Sequence, residues 1–225
     1  MTATVEPNTY QNESPGEDGP IGARVTALVL PSRDQGVPIA DPAPLGLAAF
    51  AGTTFVLSLF NAGLADHALV AVVLPLALLY GGLAQLLAGM WEFRNANTFG
   101  AVAFTSYGAF WISYYFYAHY IAATLPPADV HTATGIFLLM WTIFTAYMTV
   151  ASLKTNLALI AIFSTLLVTF ALLTLGEFTE TAAVLQAGGY LGLLVAAFAW
   201  YASAAGVVNA TWGRTVLRVF PTSRG

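Results

Sequence analysis

Between Tyr80 and Trp111 the chain reads YGGLAQLLAGMWEFRNANTFGAVAFTSYGAFW, an apolar stretch interrupted by Gln85, Glu92, Asn95, Asn97, Thr98, Thr105, Ser106 and Tyr107. Amides and hydroxyls can hydrogen-bond a small polar solute, and a carboxylate such as Glu92 can also pair with a cation or take up a proton. Each of these groups is expensive in hydrocarbon, so their concentration in one hairpin points to a lining that faces something other than lipid. The only ionised side chains in the stretch are Glu92 and Arg94. Dense dipoles with little charge suit weak, multi-point holding of a passing solute.

Helical spacing sorts these residues. Gly81, Gln85, Ala88 or Gly89, and Glu92 follow one another at steps of three and four and share one helix face. Either that face lines a narrow polar path, or its glycines let two helices approach while Gln85 bonds across the contact. Glu92 is expected at an interface near Arg94, where it snorkels or pairs. Asn97 and Thr98 suit the start of the next helix, on which Gly100, Phe104 or Thr105, Gly108 and Trp111 form one face. Tyr107 lies deep, and its hydroxyl requires a partner there. Thr142, Thr145, Thr149 and Ser152 recur at steps of three and four, a pattern in which hydroxyls bond their own preceding carbonyls.

What is absent narrows the chemistry. There is no cysteine, hence no disulfide, thiolate site or thiol nucleophile. No lysine falls mid-span, which excludes a retinal Schiff base. His67, His119 and His131 fall at span ends, against an intramembrane haem or zinc. No metal, cofactor or nucleic-acid partner is indicated, and no hydrolase or nucleotide-binding motif occurs. The expectation is a protein that is not an enzyme.

The elements that would carry these residues follow from hydropathy. The chain is 58% hydrophobic and 8% charged, with mean hydropathy +0.73, far from the roughly 25% charge of soluble domains. A membrane-spanning helix needs about 20 apolar residues. Six segments meet that need: Leu45–Ala62, His67–Trp91, Thr98–Leu125, His131–Leu153, Asn156–Gly176 and Thr181–Asn209. The predicted fold is an all-α membrane protein of six transmembrane helices in a domain over residues 42–212. Pro75 is expected to kink the second span. Breaks are expected at Asn61-Ala62-Gly63, Asn95-Ala96-Asn97, Pro126-Pro127, Lys154-Thr155 and Gly176-Glu177.

Residues 1–41 carry six acids against Arg24 and Arg33 and are expected to form a disordered acidic cytoplasmic tail without a cleaved signal. Residues 213–225 are expected to form a cytoplasmic tail at the other end. With six spans, all seven basic residues fall on one side, while Asp66, Asp129, Glu177 and Glu180 fall on the other. The positive-inside rule then predicts cytoplasmic termini in a cell membrane protein. Asp41-Pro42-Ala43-Pro44 reads as a cap followed by proline at the first helical turn. Its N–H groups either face an anion at the cytoplasmic mouth or simply start a helix.

Three motifs are more specific. D-P-A-P-L-G-L before span one, Y-G-G-x-A-Q-x-x-A-G-x-x-E in span two and N-T-F-G-x-x-A-F-T-S-Y-G-x-F-W in span three resemble the acetate uptake transporter family, the succinate–acetate permease group. Ser152-Leu153-Lys154 and Gly213-Arg214-Thr215-Val216-Leu217 are similar to its later landmarks. The resemblance implies a homohexamer in the lipid bilayer, each protomer with its own channel-like path for acetate and related small carboxylates, succinate among them. It implies a hydrophobic constriction at Phe50, Tyr107 and Leu166. Gln85 and Thr105 carry over as path-lining residues, Glu92 and Asn97 as residues near the cytoplasmic mouth, and Asp41, Pro42 and Pro44 as the mouth itself. The family has Asn where this chain has Asp41, which puts an acid at an entrance for anions. Proton-coupled acetate symport and a urea or short-amide channel are the alternatives.

Overall fold

A computed structural model describes residues 39–222 of the chain. The expected acidic tail lies outside the described residues, apart from Ile39 to Asp41. Most of the described residues are helical, and six long helices follow one another in the order of the six expected spans. Here α1 is Ala43–Asn61, α2 is His67–Arg94 and α3 is Thr98–Phe116. They are followed by α4, Val130–Ser152, α5, Leu157–Thr179, and α6, Ala182–Trp212.

Five of the six are long and apolar enough to cross a bilayer by their own composition. The exception is α3, at 19 residues about 29 Å long at the usual rise. It has the length, but its threonines, serines and tyrosines lower its hydropathy, so neighbouring helices rather than lipid must cover its polar side. The chain is thus an all-α, multi-pass membrane protein. Large apolar side chains such as Leu87, Ile143 and Leu194 are exposed along the outside, as a lipid solvent requires.

α2 is not regular. It opens as a 3₁₀ turn over His67–Val72 capped by Asp66, continues as α-helix over Val73–Leu78, and widens into a π segment over Leu79–Ala84 before Gln85–Arg94 resumes α geometry. Pro75, where a kink is expected, lies inside the α-helical stretch; the irregularity is the π segment that follows, where the extra residue shifts the register of everything after it. α3 also ends in a π turn, Tyr117–Ile121, whose exposed His119 stacks on the half-buried Tyr115 one turn earlier.

α1 packs chiefly on α6, α6 on α5 and α5 on α4, while α2 and α3 form a tight hairpin. Glycines set the closest approaches. A Cβ at Gly108 would lie 2.7 Å from the Leu86 nitrogen and one at Gly81 2.6 Å from Thr53 Oγ1, and Gly89 leaves no room before Thr105. Of the face running from Gly81 to Glu92, the glycines are thus packing positions.

The expected break at Gly176-Glu177 does not occur. α5 runs on to Thr179 and stops at Glu180, in the left-handed region at φ 50°. Gly176 instead admits Leu185 of α6. After α6, the segment from Gly213 to Thr222 turns back across the end of the bundle. Asn209 Oδ1 accepts from the Val216 and Leu217 N–H groups at 2.7 and 2.9 Å, and its Nδ2 donates to the Leu217 carbonyl. The Leu157 N–H at the start of α5 donates to the Phe220 carbonyl at 2.9 Å. What reads as a free tail is, up to Thr222, a docked strap.

Candidate functional site

Two cavities enter the bundle from opposite ends, and their linings have only Phe50 and Leu166 in common. The first, of about 210 Å³, has Asp41, Asn97, Asn156 and Asn209 among its polar lining. These residues stand at helix ends on the side of Arg94, Lys154, Arg214 and Arg218. The second, of about 580 Å³, reaches the opposite end at His67, Glu177 and Gln186. There the Glu177 carboxylate pairs with His131 Nδ1 at 2.7 Å, tying α5 to α4.

Where the cavities meet, side chains from three helices converge. Phe50 on α1, Tyr107 on α3 and Leu166 on α5 are all buried, at 5, 3 and 3% exposure, and all three line the first cavity. The Phe50 and Tyr107 rings lie 5.8 Å apart, and Phe144 meets Tyr107 edge-on at 5.1 Å. Phe50 sits two turns into α1, on the face turned to α3 and α5. Leu166 lies on the same buried face of α5 as Ile162, Phe163 and Phe170.

The Tyr107 hydroxyl has the partner its depth demands, Thr145 Oγ1 at 2.9 Å. Thr145 also bonds the Trp141 carbonyl at 2.7 Å. A hydroxyl has one hydrogen, so when Thr145 donates it to Trp141, Tyr107 donates to Thr145. The phenol proton is then engaged away from the cavities, and Tyr107 offers its ring to the junction. The waist is apolar.

The polar residues are placed unequally. Gln85 on α2 is 1% exposed and lines the first cavity beside Phe50 and Tyr107. Its Oε1 is buried without a partner, and its amide is the polar group of α2 in that lining. Among the described residues no lysine or arginine lines the first cavity, so an anion there would be held by dipoles. Thr105 lines neither cavity. Its Oγ1 is buried against Gly89 and unpartnered. Asn97 lines the first cavity and caps α3, its Oδ1 accepting from the Gly100 N–H at 3.0 Å.

Glu92 departs from expectation. It is fully buried, and among the described residues it makes no ion pair with Arg94, which points outward. The loop through Ala96, at φ 56°, folds two amides over it: Asn97 Nδ2 donates to Oε2 at 3.0 Å and Asn95 Nδ2 at 3.3 Å. A carboxylate one turn before a helix end would ordinarily snorkel. Here the tight α2–α3 contact leaves it no route outward.

At the mouth, Asp41 Oδ1 accepts from the Ala43 N–H at 2.9 Å, a cap on the start of α1. Pro42 takes the last position before α1, in helical conformation, and does not line the cavity. Pro44 lines it, and its carbonyl accepts from Ser203 on α6 at 2.7 Å. Asn156, Asn209 and the strap residue Val219 also line this mouth. Sequence reasoning missed these three. Asn156 has a legible signal as a helix cap, and its Oδ1 does accept from Leu159 N–H at 3.0 Å, but nothing local marks Asn209 or Val219.

Comparison with known proteins agrees with this architecture. "Ammonia transport outward protein 2" of Saccharomyces cerevisiae is 45% identical over 177 residues, 76% of this chain and 62% of the relative. "Succinate-acetate/proton symporter SatP" of Escherichia coli is 40% identical over 183 residues, 80% of this chain and 95% of the relative. The chain spans about two thirds of the length of the yeast relatives it matches. The solved structure of the bacterial acetate channel SatP superposes with a TM-score of 0.76 at 39% identity, covering 81% of this chain and 99% of that one. The family match extends over residues 29–224, and the chain belongs to the GPR1/FUN34/yaaH family.

Proposed function

We propose that this protein carries acetate and related small monocarboxylates, with succinate as a further candidate, across the cytoplasmic membrane through a channel-like path in each protomer. The observation that carries the reading is the meeting of two opposed cavities at Phe50 and Leu166, with Tyr107 on the same waist. A carboxylic acid with a pKa of about 4 is ionised at neutral pH, so its anion needs a conduit that is neither oily nor strongly charged. Gln85 and Asn97 supply dipoles on one side of an apolar waist, and the absence of a cation from that lining favours passage over retention.

The names of the bacterial relative and of the matching structure support the carboxylate assignment. Arg94, Lys154, Arg214 and Arg218 at one end support cytoplasmic termini, and the family resemblance supports a homohexamer with one path per protomer. Thr105 and Glu92 act behind the lining, through the α2–α3 contact and through Asn97. The first cavity, with Asp41 and Pro44 at its rim, is the cytoplasmic mouth. The single acid there repels anions modestly, and its capping of α1 keeps the mouth in shape. No chemical transformation is involved.

Proteoliposomes loaded with labelled acetate test the reading. Flux above protein-free vesicles, present with and without a pH gradient, is expected. Strict dependence on the gradient would move the assignment to a symporter, and urea or methylamide flux exceeding acetate flux would overturn the carboxylate. Phe50→Ala widens the waist and raises propionate or lactate flux relative to acetate; an unchanged ratio at normal membrane insertion removes Phe50 from the constriction.

A further inference from the structure

We propose that Glu92 is a proton site coupled to the anion in the first cavity, so that the protein conducts best with Glu92 neutral. The inference rests on the transport reading and names its regulation. Three observations carry it. Glu92 is fully buried, yet among the described residues its partners are two neutral amides rather than a cation. Its Oε1 has no partner among the described residues. And Asn97 and Gly100 adjoin both this carboxyl and the cavity: both line it, Asn97 holds Oε2, and a Cβ on Gly100 would lie 2.9 Å from Oε1.

A buried carboxylate without a counter-ion is a source of uncompensated negative field. An anion in the adjoining cavity would meet that field with little water to screen it. A proton on Oε1, the oxygen without a partner, removes the charge while Oε2 keeps both amide bonds. By linkage the effect is reciprocal: an anion in the cavity draws a proton onto Glu92, and a proton on Glu92 strengthens anion binding by the same factor. The proton comes from water at the mouth and returns there, and no other atom changes hands.

The neighbouring charges do not undo this coupling. Before α1, the acid among the described residues is Asp41, which lines the cavity and adds to the negative field. On α3 the residues facing it, Asn97 and Gly100, are neutral. On its own helix Arg94 is exposed and makes no ion pair with it. Asn97 passes the state of Glu92 to the lining, because one side chain both donates to the carboxyl and caps α3 through Gly100.

The test is equilibrium exchange of labelled acetate in proteoliposomes of the full chain at fixed acetate-anion concentration, with protein-free vesicles subtracted. Wild-type exchange is expected to fall with rising pH, approaching about tenfold per unit on the alkaline limb for a single required proton. Glu92→Gln, which carries a fixed neutral group, flattens that profile, and Glu92→Asp restores a slope. A pH profile that Glu92→Gln leaves unchanged overturns the proposal, as does a folded but inactive Glu92→Gln protein. No exchange above protein-free vesicles in any variant, wild type included, overturns the transport reading instead. If Glu92→Gln fails to fold, infrared difference spectra of wild type and Glu92→Asp with ¹³C-acetate decide. A protein carboxyl gaining a proton on acetate binding, with its band shifted in Glu92→Asp, supports the site, and absence of that band overturns it.

Discussion

Two rows of polar side chains cross the same apolar bundle and end in opposite states. On α4, Thr142, Thr145, Thr149 and Ser152 each donate to a carbonyl of their own preceding turn, at 2.7 to 2.9 Å. Their free lone pairs tie helices together, Thr142 meeting Thr174 on α5 and Thr145 holding Tyr107, while Thr149 shares its one hydrogen between the Thr145 and Phe163 carbonyls. On the α2–α3 hairpin, Gln85 Oε1, Glu92 Oε1 and Thr105 Oγ1 are buried with no partner. The first row is self-sufficient and could be dissolved in lipid. The second retains unspent hydrogen-bonding capacity, and Gln85 brings its share to the wall of a cavity, which is what a site for a polar solute requires.

The contrast can be broken or sharpened by substitution. Gln85→Leu should have the largest effect, because it removes the amide beside the waist. A hydrogen bond to a charged group contributes about 1.5–3 kcal/mol, so acetate flux should fall about ten- to hundredfold while the thermal midpoint in detergent changes little. Undiminished flux would reduce Gln85 to packing. Tyr107→Phe is intermediate. It deletes a donor to Thr145 without stranding one, since the Thr145 proton remains on Trp141, so stability should drop by about 1 kcal/mol with flux nearly unchanged. A collapse of flux would show that the hydroxyl itself faces the solute. Ser152→Ala should be the smallest. Its hydroxyl serves only the Thr149 carbonyl among the described residues, and a change within about 0.5 kcal/mol is expected. A greater loss, read from thermal unfolding, would mean that the α4 row is no more self-sufficient than the hairpin.

The two openings differ in the same sense. The mouth at Asp41 is closed over by neutral amides and by the strap, whose Val219 forms part of its wall. The opposite vestibule is wider and carries its titratable groups, His67 and Glu177, openly at the rim. A solute therefore meets the His131–Glu177 pair at one end, and a single carboxylate, Asp41, set among oriented amides at the other.

The six helices were legible in the sequence because hydropathy needs only local composition. The breaks at Asn61, Asn95 and Pro126 were equally local. Cap chemistry at Asp41 and the self-bonding of the α4 row also follow from neighbours in the chain. Three features needed the tertiary structure. The π segment at Leu79–Ala84 decides that Gln85 turns to the cavity while Gly89 turns to Thr105, a register no periodicity analysis contains. The burial of Glu92 arises from a three-residue loop that folds its amides inward. The strap is held by Asn209, seven and eight residues upstream of the N–H groups it binds, and by backbone pairing with α5. Backbone hydrogen bonds carry no side-chain signature, so that docking is invisible until the chain is folded. The sequence alone determined that polar groups would cross a membrane core. Which of them remain unsatisfied beside a cavity is a property of packing, because satisfaction depends on what lies opposite each atom rather than on the atom itself.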